Sequence, residues 1–161
     1  MSALAEFLRT EGKEIAAKAR ENHDLLFEWL GDVDQFLAWV KEAIKEADPE
    51  GTLFVRQVPK YLREIRFGEY ELPSLEIVFG ATVVSVIPRA RFLAGELKAG
   101  DPPAEYPLEG KIDLTDGPRV YHAYRVRTPD GSRWFLTDRD RRKVTPVTRE
   151  AIQDVLLDLL R

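Results

Sequence analysis

The stretch KIDLTDGPRVYHAYRVRTPDGSRWFLT, Lys111–Thr137, decides how the chain is read. It holds three segments rich in β-branched and aromatic residues: Lys111–Leu114, Arg119–Arg127 and Ser132–Thr137. Two clusters of turn formers, Thr115-Asp116-Gly117-Pro118 and Pro129-Asp130-Gly131, separate them. The pattern predicts a three-stranded antiparallel meander. A three-residue loop ending in Gly131 at positive φ closes the second hairpin. That loop pairs Thr128 with Ser132, Val126 with Trp134, Tyr124 with Leu136 and His122 with Asp138. The apolar side chains then meet one another on one face.

Upstream, Leu75–Ile87 is the most apolar stretch and ends at Pro88. It predicts a central strand or strand pair, bent at Gly80. Thr52–Val55 and Glu64–Phe67 are further strand candidates, parted by Pro59, with Tyr61-Leu62 as a turn or short helix. Arg91–Ala94 reads as an edge segment and Lys98–Tyr106 as an exposed loop. Downstream, Thr148 is a helix N-cap with Glu150 in the first turn. Ile152, Val155, Leu156, Leu159 and Leu160 then recur at helical spacing.

The opening segment differs in kind. All 10 prolines lie at or after Pro49. Before it, Leu8, Ile15, Ala19, Leu26, Trp29, Val33, Phe36, Val40, Ala43 and Ala47 form a helical stripe. Gly31 reads as a stop, and Asp32 with Gln35 as a capping box, which divides the stripe into helices near 3–30 and 33–47; a continuous helix kinked at Gly31 is the alternative. Before Asn22 the stripe thins to Ala5, Gly12 and Ala19, suiting a close helix contact or a segment ordered by a partner. Helices followed by strands predict a single α+β domain over 1–161. Its parts are an N-terminal helical pair (1–50), a twisted, mainly antiparallel sheet of about five to seven strands ending in a meander, and a C-terminal helix packed on the sheet.

Composition narrows the function. The 161 residues are 44% hydrophobic and 32% charged, with net charge −4, which suits a globular domain and not a uniformly basic coat protein. With no cysteine, disulfides, thiol catalysis and zinc-thiolate sites are excluded. No apolar run reaches the roughly 20 residues of a membrane span, and Met1–Glu6 lacks the features of a secretory signal. A bacterial-type cytoplasm is expected. No G-x-S-x-G, phosphate loop or dinucleotide motif occurs, so no cofactor and no metal are expected. The weak catalytic candidates are His122 and Asp138, a carboxylate orienting an imidazole in a hydrolase or lyase, but no nucleophile accompanies them. A plain ion pair explains them as well.

Charge is polarised along the chain. Gly117–Arg149 carries nine cations against three anions, net +6, and the first 50 residues carry six cations against 12 acids, net −6. Arg125, Arg127, Arg133, Arg141 and Arg142 offer an anion- or nucleic-acid-binding face. Leu26, Trp29, Phe36 and Trp39 offer apolar partner anchors, because the helix is apolar on more than one side. The leading expectation is therefore a non-enzymatic protein-interaction or accessory module. It would act on a protein partner or a second copy, with the acidic helices and the basic hairpin as its faces. Nucleic-acid binding through the hairpin is the alternative, and His–Asp chemistry the third. No membrane role is expected.

Overall fold

The computed structural model describes residues 2–161. In chain order the elements are α1 (Ala3–Ala47), β1 (Phe54–Glu64), β2 (Gly68–Phe79), β3 (Thr82–Ala90), β4 (Glu96–Ala99), β5 (Ala104–Thr115), β6 (Val120–Thr128), β7 (Gly131–Thr137), β8 (Val144–Pro146) and α2 (Arg149–Leu160). The fold is α+β. Eight strands form an antiparallel sheet in the order β1-β2-β3-β5-β6-β7-β8, with β4 paired to β5 off that path. The first part of β5 pairs with β4 and its last part with β3, so β5 is the spine of the sheet.

The expected helical pair is one helix of 45 residues. Ser2 caps its start by accepting from the Ala5 amide at 3.1 Å. Asp48 ends it, its carboxylate accepting from the amides of Thr52 and Leu53 at 2.8 Å each. Gly31 does not stop the helix. It lies on the exposed face with nothing near it, flanked by the fully buried Trp29 and Val33. A glycine inside a helix costs about 1 kcal/mol. Burying one large apolar side chain contributes about 1.5–3 kcal/mol, so packing overrides propensity here.

The strands also correct several expectations. β1 runs unbroken through Pro59, which an edge strand tolerates because its free side needs no amide donor. Tyr61-Leu62 belongs to that strand, and Glu64–Phe67 is its turn into β2. Gly80-Ala81 is the tight turn of the β2–β3 hairpin. Arg91–Ala94 is not a strand, whereas Lys98–Tyr106 contains the β4–β5 turn with strand on either side. In the C-terminal hairpin the register is one residue from the expected one. Thr128 pairs with Gly131, Arg125 with Trp134, Tyr124 with Phe135 and His122 with Thr137.

The register differs because this part of the sheet is covered on both faces. Ala123, Trp134 and Leu136 join the main core under α1 and α2, with Trp29, Phe36, Leu75, Ile77, Val86 and Ile112. Tyr124, Val126 and Phe135 turn to the other face, into a smaller core with Leu97, Ala99 and Leu108. A rule that gathers all apolar residues on one face fails where β4 and the loop before it supply a second cover. α2 begins at the expected cap, with Thr148 accepting from the Ala151 amide at 3.0 Å. It buries Ile152, Val155, Leu156 and Leu159 in the main core.

Candidate functional site

Three of the four proposed anchors on α1 join Trp134 in an aromatic cluster. The Trp29 and Trp134 rings stack with centroids 6.3 Å apart, Phe36 lies 5.0 Å from Trp134, and Trp39 meets Phe36 edge-on at 6.3 Å. Trp29 and Phe36 are fully buried, and Leu26 and Trp39 are half-buried against the same core. As surface anchors Trp29 and Phe36 are therefore corrected: they hold α1 to its own sheet. Gly110 on β5 records how closely, since a Cβ there would stand 2.5 Å from Trp29 Cζ3.

A charged seam runs beside this contact. The β5 register shifts between Leu108 and Gly110, and Glu109 in that irregularity carries its carboxylate to Arg91, Arg125 and Arg127. Arg125 is 4% exposed. It reaches Glu28 and, at 3.0 Å, Asp32 on α1. Burial pushes the Asp32 carboxyl up against the opposing pull of Arg125. Burial also pushes Glu109 up, but the hydrogen bond from Arg127 and the charges of Arg127, Arg125 and Arg91 outweigh it and hold Glu109 below its usual range. Further along, Arg149 of α2 pairs with Glu46 at 2.6 Å and Glu42 at 3.5 Å. The acidic helix and basic hairpin thus meet within one chain.

This corrects the expected anion-binding face. Arg125 is enclosed by three carboxylates, and Arg127 is paired with Glu109 although half its side chain faces solvent. Arg133 and Arg141 lie on the opposite side of the sheet, over Phe135 at 5.8 Å and Tyr124 at 4.8 Å. Arg141 also donates to the Tyr124 hydroxyl at 3.1 Å, and Arg142 lies exposed in the turn where its amide donates to Asp138. The five arginines do not share a face.

His122 has a carboxylate partner, but it is Asp113 of β5 and not Asp138. Nδ1 of His122 donates to Asp113 Oδ1 at 2.6 Å, and Arg89 donates to the other oxygen at 2.9 Å. Lys111 stands 3.8 Å from Asp113. Burial raises the Asp113 carboxyl, but the hydrogen bonds from His122 and Arg89 and the nearby positive charges bring it below its usual range. An ionised Asp113 fixes the Nδ1–H tautomer of His122. The β5–β6 turn could have revealed this pair: a four-residue loop over Asp116–Arg119 sets Thr115 opposite Val120 and hence Asp113 opposite His122. The arrangement orients an imidazole on a carboxylate that two cationic side chains, Arg89 and Lys111, also approach; no hydroxyl nucleophile contacts the imidazole.

The largest departure from an ordinary surface is the first half of α1. From Ser2 to Glu21 no residue is buried, and only Ala5 and Gly12 are partly shielded. Leu4 (65%), Phe7 (47%), Leu8 (54%) and Ile15 (62%) are exposed. The body's first hold on the helix is Arg66, which donates to Asn22 at 3.0 Å. The sequence places Leu8 and Ile15 on one helical stripe with Trp29, Val33 and Phe36, and Ala5, Gly12 and Ala19 on a close-contact stripe, but it does not single out Leu4 or Phe7, which lie off the seven-residue repeat.

A groove of about 350 Å³ lies between β7, β8 and α2, lined by Tyr121, Asp138, Lys143, Asp154 and Asp158 among others. Tyr121 donates to Asp158 at 2.6 Å there, and that bond with burial pushes its hydroxyl up to about 12. Among the described residues, no group of three or more His, Asp or Glu side chains is placed to hold a metal ion, and no helix is long and apolar enough to cross a membrane. No family model, no curated protein and no solved structure matches the chain.

Proposed function

We propose that the chain is a non-enzymatic interaction module, a compact α+β body that presents the first half of α1 to another protein. One observation carries this reading. A single helical stripe is fully buried at Trp29, Val33 and Phe36, yet stands bare at Leu8 and Ile15. Helices in proteins draw most of their stability from packing an amphipathic face rather than from propensity, so a bare apolar stripe calls for a cover. The charge pairing adds support. Arg125 and Arg127 already neutralise acids of the same chain, which leaves the hairpin less for a phosphate backbone. The reading keeps a bacterial-type cytoplasm as the proposed compartment.

The test is capture from lysate with the tagged full chain and with L8K/I15K. Both positions are exposed, so the variant is expected to melt with the wild type. Loss of the captured proteins on that variant, with nuclease making no difference, is the expected result. Capture that is unchanged by the variant, or that nuclease abolishes, would overturn the reading.

A further inference from the structure

The bare half of α1 has a repeat that selects its occupant. Ala5, Gly12 and Ala19 recur every seven residues, and Leu8, Ile15 and Asn22 follow each by three. These are the two seam positions of a heptad helix. The same two positions continue into the body as Leu26, Val33 and Val40 and as Trp29, Phe36 and Ala43, where the sheet covers them. We propose that the arm, about residues 3–24, is covered by the arm of a second copy of this chain, packed antiparallel. This rests on the reading of the chain as an interaction module and names its partner.

Size complementarity sets the direction. In an antiparallel pair with Gly12 opposite Ile15, the following layers are Leu8 opposite Ala19 and Ala5 opposite Asn22, each present twice by symmetry. In each of these seam layers the larger residue then meets a small one, and helices can approach closely at Gly12, which has no Cβ. A parallel, in-register pair would set Gly12 on Gly12 and Ile15 on Ile15, alternating voids with crowded layers.

Charge complementarity agrees. Glu11 and Lys18 flank the seam on the same side. In the antiparallel register each Glu11 faces Lys18 of the second copy, giving two opposite-charge pairs. In the parallel register Glu11 faces Ala16, and no such pair forms. Leu4, 65% exposed, comes opposite Leu25 of the second copy. The tip of each arm ends beside Asn22 of the other copy, next to the β1–β2 turn in which Ile65 is fully exposed. The two chains each carry net charge −4, and their bodies are left at opposite ends of an arm pair roughly 30 Å long at 1.5 Å per residue.

The experiment is sedimentation equilibrium of the full chain across the micromolar range, for the wild type, E11K, K18E, the double variant E11K/K18E and an equimolar mixture of the two single variants. The expected results are a dimeric wild type and dissociation about tenfold easier or more in each single variant, because each places two like-charge pairs across the seam. The double variant and the mixture are expected to return to dimers of wild-type strength. A monomeric wild type, single variants as tight as the wild type, or a mixture that stays monomeric would each overturn the proposal. If the wild type is monomeric but L8K/I15K still abolishes lysate capture, the second copy is rejected and the interaction module stands. Binding of a monomeric chain to phosphatidylserine vesicles would reject the second copy in favour of a lipid surface.

Discussion

The two halves of α1 carry one pattern and meet two fates. Around Trp29, Val33 and Phe36 the stripe is closed over by the sheet, and the acids beside it, Glu28 and Asp32, are drawn onto Arg125. Around Leu8 and Ile15 the same spacing faces solvent, and the acids and bases beside it have no partner on the body. Local periodicity therefore states that a face will be covered, not by what. The cover is decided by what else the chain can bring to that distance. The β5 irregularity at Glu109 and the space left by Gly110 are made for the second half of the helix; Arg66 of the body touches only the end of the first, at Glu21 and Asn22.

The largest effect expected from this contrast is Trp29→Ala, which empties the space against Trp134 and Gly110. It should cost about 3–5 kcal/mol in denaturant unfolding. Ile15→Ala, equally apolar in its repeat, should change the unfolding of the monomeric body by less than about 0.5 kcal/mol. Similar losses from the two would erase the distinction between the halves. Next is Arg125→Leu, which leaves Glu28 and Asp32 beside an apolar neighbour, while Glu109 keeps Arg91 and Arg127. About 3 kcal/mol of destabilisation follows from breaking a buried pair, and a far smaller loss in the same titration would mean that the seam does not fasten the helix.

Acid should weaken the body. Asp113 is held below its ordinary value, so the folded state binds its proton less readily than the unfolded chain does. Its contribution is present above the ordinary carboxylate value of about 4 and is lost as pH falls through the depressed one. Melting temperature should fall over that range, and Asp113→Asn should flatten the slope. Asp32, raised by burial, works in the opposite sense and weakens the folded state as pH climbs through its window. The smallest effects come from the two helical glycines. Gly31→Ala, with open space around it, should stabilise the body by about 1 kcal/mol. Gly12→Ala should leave the melt of the monomeric body unchanged, although it has the same propensity gain.

Much of the fold is legible in the residues. Thr148, the Pro129-Asp130 turn, the Leu75–Ile87 run and the division into helix before Pro49 and strands after it all point to the architecture found. Three features are hidden for physical reasons. Gly31 carries a stop signal that tertiary burial of its neighbours overrides. Tyr124, Val126 and Phe135 share a strand pair with Ala123 and Leu136, and only the existence of a second core shows that they belong on the other face. The arginines of the hairpin are indistinguishable in sequence, yet Arg125 points into the acids of α1 while Arg133 and Arg141 lie over aromatic rings across the sheet. The partner of His122 lay one turn earlier than the turn used to find it.

The central claim is that the two halves of α1 are covered by different means, one by the sheet and the other by association. Amide hydrogen exchange along α1, measured at several protein concentrations, tests it most directly. The account predicts that residues 29–44 are protected to the same degree at every concentration, and that residues 5–20 gain protection only as concentration rises. Protection of residues 5–20 that is independent of concentration, or as strong at dilution as that of Trp29 and Phe36, would contradict it.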